Sequence, residues 1–402
     1  MSLLAARIRN VAPSATTAVS TRAAALTAEG RAIIRLSEGE PDFDTPEHIK
    51  DAARAALDAG LTRYTATGGT NSLKAAIADK YKREDGLSYS PDEIIVSTGG
   101  KQVIFNAFLA TVEPGDEVII PAPYWVSYPE MVRLAGGTPI VVECDEDVGF
   151  KLTIESLKGA LTSKTKWVVL NNPNNPSGAF YSAEELHLLS EELMAWPDVL
   201  IMSDDIYEHI IFDNSVHNTI VALEPALRDR TLLCNGVSKA YAMTGWRIGY
   251  GAGPKDLIAA MATIQSHSTS NPNSIAQEAA RVALSSPMDF LKEQLLAYDE
   301  RRTKCRGWLN AIDGLSCSKP GGAFYLFPSC RGLIGRKTPA GTEIDSDLAL
   351  VTYLLEEAGV AVVPGAAFGL SPYFRISIGE PLETLEAACA AISAACARLT
   401  RD

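Results

Sequence analysis

Lys239 stands where an amine could attack a carbonyl. It follows the apolar, β-prone run Thr231-Leu-Leu-Cys-Asn235, and Gly236 and Ser238 put it in a turn just past the end of a buried strand. Desolvation there favours the neutral amine, the form that condenses with an aldehyde to give a Schiff base. Further along, Arg247 opens a second apolar run, Ile248-Gly-Tyr-Gly251. A permanently charged guanidinium beside such a lysine suits an anionic partner, and a phosphate-bearing aldehyde satisfies both groups.

The elements that must carry these residues follow a rhythm. Ile94-Ile-Val-Ser97 gives way to Thr98-Gly-Gly-Lys101, and Val118-Ile-Ile120 to Pro121-Ala-Pro-Tyr-Trp125. Trp167-Val-Val-Leu170 gives way to Asn171-Asn-Pro-Asn-Asn-Pro-Ser-Gly178, and Val199-Leu-Ile-Met202 to Ser203-Asp-Asp-Ile-Tyr207. Helical patterns fill the gaps, as over 183–195, where Leu186, Leu189 and Leu193 share a face. Apolar strands alternating with helices predict an α/β fold around a largely parallel, covered sheet, with ligands collecting beyond the carboxyl ends of its strands.

Other stretches frame that centre. A short strand at Ile33–Leu36 leads into the loop Ser37-Glu-Gly-Glu-Pro-Asp-Phe-Asp-Thr-Pro46. Leu73, Ile77 and Tyr81 mark a helix, with Asp79 and Arg83 as an exposed pair. Strands are expected over Gly321–Phe327, Gly359–Gly365 and Phe374–Ile378, and a last helix lines up Leu382, Leu385, Ile392 and Leu399 with Pro381 in its first turn. Gly249-Tyr-Gly-Ala-Gly253 has the look of a dinucleotide fingerprint, but Pro254 and the lack of a preceding βα start favour strand glycines packed beneath a ligand.

Composition bounds the function. The 402 residues suffice for two or three domains, and 47% hydrophobic with 21% charged residues is ordinary for a soluble enzyme. A net charge of −13 with no basic cluster argues against nucleic acid or an anionic membrane. No apolar run approaches the roughly 20 residues of a membrane span, and the first residues lack a signal-peptide core, so a cytoplasmic location is expected. Seven cysteines without a C-x-x-C fit reduced thiols, and five histidines without ligand spacing imply no metal.

The block Gly236-Val-Ser-Lys-Ala-Tyr-Ala-Met-Thr-Gly-Trp-Arg247 resembles the pyridoxal-phosphate lysine signature of class I aminotransferases, and among them the bacterial Ib aspartate aminotransferases. The resemblance covers about residues 10–400. It implies a fold-type I transferase, with a large domain built on a mostly parallel seven-stranded sheet and a smaller α/β domain drawn from both termini. The divisions expected are 1–45 for the arm and part of the small domain, 46–295 for the cofactor domain, and 296–402 for the rest. It also implies pyridoxal 5'-phosphate bound to Lys239, and a homodimer with shared active sites that takes small amino acids and 2-oxo acids.

Roles follow from matched positions. Lys239 would act as the general base, Asp204 would face the ring nitrogen, and Asn175 and Tyr207 the phenolic oxygen. Where the family usually has Glu after the aspartate, this chain has Asp205, and strand alternation should turn only one of the two inward. Trp125 would stack on the ring, and the phosphate would lie on the amides of Gly99, Gly100 and Lys101 with Ser238, Arg247 and Tyr64 of the neighbouring subunit. Arg375 and the backbone at Gly39 would take the substrate α-carboxylate, and Lys101 with Ser14 and Thr16 a distal carboxylate. Aspartate or glutamate with 2-oxoglutarate is the expected pair. Prephenate or broader specificity is the alternative, although relatives that aminate prephenate carry Lys before P-S-A-T, where this chain has Ala12. A C–S β-lyase shares the fold, and a non-catalytic regulator would need a fused winged-helix domain for which the chain has no spare segment.

Overall fold

The apolar runs that end in polar residues are strands of one sheet. The computed structural model describes residues 3–401. After a two-residue strand β1 (Ile34–Arg35), the chain forms β2 (Ile94–Ser97), β3 (Glu117–Ala122), β4 (Thr138–Glu143) and β5 (Thr165–Asn171). β6 (Leu200–Asp204), β7 (Thr231–Gly236) and β8 (Gly249–Ala252) complete the sheet. Its order is β2-β8-β7-β6-β5-β3-β4, parallel at every pairing except the two made by β8.

Period-two alternation sorts the side chains between two cores. Val118 and Ile120 of β3 join Phe108 and Met261 on one face, while Ile119 between them joins Leu186 and Leu189 on the other. Helices Gly100–Thr111, Tyr128–Ala135 and Lys255–Ser266 cover the first face. Asn71–Glu84, Ala183–Met194 and Ser274–Ser285 cover the second. Helix Ala183–Met194 starts on a reciprocal cap, with Ser182 accepting from the Glu185 amide and Glu185 accepting from the Ser182 amide. It buries Leu186, Leu189 and Leu193, each side chain contributing about 1.5–3 kcal/mol.

A second body holds β9 (Tyr325–Leu326), β10 (Val360–Ala361), β11 (Val363–Pro364) and β12 (Phe374–Ser377). β11-β12-β9 is antiparallel, and β10 pairs with β1 in parallel. The long helix Asp289–Asn310 serves both bodies: Leu291 enters the core of the large sheet, and Tyr298, Cys305 and Leu309 enter that of the second body. Position 295, where a division was expected, lies inside this helix.

Three local expectations are corrected. The run 321–327 forms a strand only at Tyr325–Leu326, because Gly321 and Gly322 both donate to the Gly178 carbonyl and lie against Phe180 and Pro173. The last helix is Leu382–Cys396, with Pro381 at the N-cap and Leu399 buried beyond its end. Arg83 turns to Glu84 and the Leu284 carbonyl and makes no pair with Asp79.

Beneath the sheet's second face, the fully buried Lys80 ammonium lies 2.6 Å from Glu208 and 3.5 Å from both Glu84 and Asp85. Burial opposes its charge, but these carboxylates outweigh burial and hold its pKa above the usual value. The pair ties the segment after β6 to helix Asn71–Glu84. Lys80→Met would strand the Glu208 charge and is expected to cost about 3–5 kcal/mol in urea unfolding. Lys255→Met, which breaks an exposed pair with Asp92, should leave the midpoint in place.

Candidate active site

A cavity of about 470 Å³ opens where β5, β6 and β7 end and β9 and β12 of the second body approach them. Asn171 and Asp204 are register partners at the ends of β5 and β6, so both reach the cavity from one edge. Past β7, the Met243 amide donates to the Ser238 carbonyl and the Ala242 amide to the Lys239 carbonyl, closing the turn that holds Lys239.

Lys239 Nζ donates to the Gly39 carbonyl and sits 5.8 Å from the ring centres of both Tyr207 and Phe324. Burial, then the nearby Arg375 charge, pull its pKa down to about 8, against partial opposition from Glu40 and Asp204. The amine is therefore partly neutral near physiological pH. Asp204 is buried, which pushes its carboxyl up to about 6 against a 2.5 Å hydrogen bond donated by Tyr128. It remains mainly ionised at neutral pH and is ready to accept a proton or a cation.

Arg375, on β12, is 3% exposed, and no carboxylate pairs with it among the described residues. Its Nη1 donates to Asn175 Oδ1 at 2.9 Å and its Nη2 to the Ser37 carbonyl at 2.6 Å, while Nε has no partner. The guanidinium carbon lies 4.7 Å from the Tyr325 ring centre and 5.0 Å from that of Phe368. A buried cation held only by neutral groups and facing a cavity is a receptor for an anion.

A second anion position lies at the start of helix Gly100–Thr111. The amides of its first turn have no acceptor within the helix, and the dipole favours negative charge there. Gly99 adopts φ +88°, and a Cβ on it would fall 2.3 Å from Arg247 Nη2. Only glycine lets that guanidinium lie against the helix start. Gly249 likewise brings β8 against Gly100, where a Cβ would meet the Gly100 nitrogen at 2.1 Å. Arg247 itself adopts φ 57°, a left-handed backbone rare outside glycine, and donates to the Thr244 carbonyl at 2.9 Å.

Most of the expected residues converge. Thr16, Gly39, Gly100, Lys101, Trp125, Asn175, Asp204, Tyr207, Ser238, Lys239, Arg247 and Arg375 all line the cavity, and Gly99 abuts it through Arg247. Lys101 Nζ lies over the Trp125 ring at 4.9 Å. Two residues lie elsewhere. Tyr64 is 92% exposed, and Ser14 caps the helix Ala15–Ala28 and lines an adjoining cavity of about 500 Å³ that shares Lys101 and Arg247. Asp205 points away from Asp204, accepting from Ser203 at 2.9 Å with His217 at 3.6 Å. Sequence reasoning missed Tyr128 and Tyr325. Tyr128 opens its helix three residues past Trp125, and its amide donates to the Trp125 carbonyl at 3.1 Å, a turn that leaves both residues on the same cavity. Tyr325 carried no signal beyond its place in an apolar run.

The family profile described as aminotransferase class I and II matches residues 31–392. An aspartate/prephenate aminotransferase of Cereibacter sphaeroides is 56% identical over all of both chains. The crystal structure of the Rhizobium meliloti aspartate aminotransferase superposes with a TM-score of 0.97 at 52% identity over all of both chains. The Thermus thermophilus aspartate aminotransferase, solved with maleate, reaches 0.91 at 42% identity over 98% of this chain and 100% of that one.

The lowered Lys239 pKa has a direct readout. Its amine is protonated below about pH 8 and neutral above, so labelling by an aldehyde and borohydride, read by peptide mass spectrometry, should rise through that pH. Lys292, whose pKa is raised by its hydrogen bond with Asp289, should respond only at higher pH. Identical profiles for the two lysines would remove the argument for an activated amine.

Proposed function

The chain belongs to the class I and II aminotransferases, and from that premise we propose that it moves the amino group of aspartate, or another dicarboxylic amino acid, to 2-oxoglutarate. Its cofactor in this reading is pyridoxal 5'-phosphate at Lys239. The observation that carries the reading is the unpaired, buried Arg375 facing the same cavity as a lysine of lowered pKa. The cofactor fits the groups present: one anion cradle that a Cβ at Gly99 would fill, one buried carboxylate and one amine. When bound, it supplies an aldehyde and a ring that draws electrons from the carbon bearing the amino group.

The chain's own residues do the rest. Arg375, with the Gly39 backbone beside it, binds and orients the α-carboxylate, and Lys239 Nζ takes and returns the Cα proton. The Asp204 carboxylate, held in place by the Tyr128 hydroxyl, would partner the ring nitrogen. Tyr207 and Asn175 would hydrogen-bond the phenolic oxygen, and Trp125 would cover the ring. The amides of Gly100 and Lys101, with Ser238 and Arg247, would take the phosphate, whereas the Gly99 amide, expected to join them, already donates to the Ser97 carbonyl at 2.7 Å. Tyr64, fully at the surface of a single chain, suits a residue that completes the phosphate site of a second copy in a homodimer. Lys101, aided by Thr16 and Ser14, meets the distal carboxylate. Maleate, found with the Thermus protein, is itself a dicarboxylate.

Prephenate is the second reading, favoured by the name of the Cereibacter relative. Against it, Ala12 offers no cation, and its amide is engaged with Glu130 at 3.0 Å. Among the described residues no helix is long and apolar enough to cross a membrane. All seven cysteines are buried and free, which suits the reducing cytoplasm where we place the protein.

Purified protein with pyridoxal phosphate, aspartate and 2-oxoglutarate is expected to form oxaloacetate and glutamate. Pyruvate and ammonia from a cysteine conjugate, without transfer, would favour a lyase instead. Arg375→Ala should lower kcat/KM for every amino acid by at least about thirtyfold, and a loss confined to dicarboxylates would refute its role. Lys101→Ala should raise KM for aspartate about tenfold while leaving alanine within about twofold.

A further inference from the structure

Tyr325 touches three parts of the cavity at once. Its hydroxyl lies 2.7 Å from the Tyr207 hydroxyl, with the rings 5.7 Å apart at 82°. Its ring carries the Arg375 guanidinium at 4.7 Å. Its hydroxyl also bounds the Gly39 loop, since a Cβ on Gly39 would fall 2.3 Å from it. The strand pairing explains the arrangement. β9 and β12 pair Tyr325 with Ser377, so Tyr325 and Arg375 are diagonal neighbours on one face of that small sheet.

We propose that Tyr325 is a positioning residue acting through two others: its hydroxyl directs the Tyr207 proton into the cavity, and its ring sets the plane of the Arg375 fork. The proposal rests on the aminotransferase reading above. A phenol has one proton to donate and lone pairs to accept with. Tyr207 and Tyr325 make a hydrogen bond to each other and no other through their hydroxyls among the described residues. Burial holds both protonated. Once Tyr207 donates to an oxygen in the cavity, its own oxygen is free to accept, and Tyr325 is the group that hydrogen-bonds to it among the described residues. A donor that itself accepts a hydrogen bond is strengthened. The second arm is geometric. The Arg375 guanidinium carbon lies 4.7 Å from the Tyr325 ring centre and 5.0 Å from that of Phe368, and with Asn175 and the Ser37 carbonyl taking its two terminal nitrogens, these rings fix the tilt of the planar fork.

The two arms separate in two variants. Tyr325→Phe removes the hydroxyl and keeps the ring, whereas Tyr325→Leu removes both. A weaker hydrogen bond leaves more negative charge on the cofactor's phenolic oxygen, which retains the neighbouring proton more tightly. In the pyridoxal-phosphate holoenzyme, the pH titration of the cofactor's absorbance should therefore move up by about half a unit in Tyr325→Phe. KM for aspartate should stay within about twofold of the parent value, and kcat should fall. In a Tyr207→Phe background the same change should produce no further shift, since the relay is already cut. Tyr325→Leu should show the titration shift and, in addition, a KM raised about tenfold for every amino acid.

An unshifted titration in Tyr325→Phe overturns the relay. An unchanged KM in Tyr325→Leu overturns the guanidinium arm. A shift that persists in the Tyr207→Phe background assigns the effect to general loosening and overturns the relay as well. If the parent protein shows no titrating chromophore at all, the aminotransferase reading fails, and this inference fails with it.

Discussion

Lys239 and Arg375 face one cavity, and among the described residues neither forms an ion pair with the acids that also line it, Glu38, Glu40 and Asp204; the site's chemistry depends on that imbalance. Arg375 keeps its proton at any relevant pH, and burial first, then this guanidinium, lower the pKa of Lys239 to about 8. The same guanidinium that awaits a carboxylate thus helps keep the amine neutral. An anion arriving at Arg375 would relax that penalty and let Lys239 hold a proton more readily. In the proposed reaction the base would strengthen once the substrate's carboxylate is in place, which would couple binding to proton transfer through charge.

Such an arrangement is costly to maintain, and the surrounding structure shows how it is held. Arg375 is fixed by neutral acceptors and ring faces that fill its hydrogen bonds without cancelling its charge. Lys239 is aimed by one backbone carbonyl, that of Gly39, which belongs to a loop of the second body. Tyr207, one residue before Glu208, is anchored from behind by the buried Lys80 pair. Parallel strands supply the rest, because their carboxyl ends place Asn171, Asp204 and the turn after Gly236 along one edge.

Much of this could be read in the chain. The place of Lys239 at a strand end was legible from the strand pattern, and Asp204, Gly99 and Arg375 were singled out through matched family positions; the structure brings Lys239, Asp204 and Arg375 to one cavity with Gly99 against it through Arg247. Tyr128 and Tyr325 were not. Each sits at a position where an aromatic residue would serve equally well as core, so only the fold discloses a hydroxyl pointing at Asp204 or Tyr207. Element ends were misjudged for a related reason. At Gly321 and Gly322 the pattern of apolar residues continues, yet the backbone hydrogen bonds go to Gly178 and not to a strand. Ser14 and Tyr64 stand apart in a single chain, one capping a helix and the other facing solvent.

Adjacent aspartates at the end of β6 raise a last question of charge. Asp204 and Asp205 are both buried, and each raises the cost of ionising the other if both face the same space. Pleating sends them apart, Asp204 to the cavity and Asp205 to the side held by Ser203 and His217. Burial disfavours a charged His217, but Asp205 and Glu208 outweigh it and hold its pKa above the usual value. An imidazolium there offsets Asp205 from behind. Burial raises the carboxyl of Asp204 and the neighbouring Asp205 adds to the rise, while the Tyr128 hydrogen bond opposes it and leaves the group at about 6, where it still ionises at neutral pH. A glutamate in place of Asp205 would reach farther from the strand, so the shorter side chain suits a partner as close as His217.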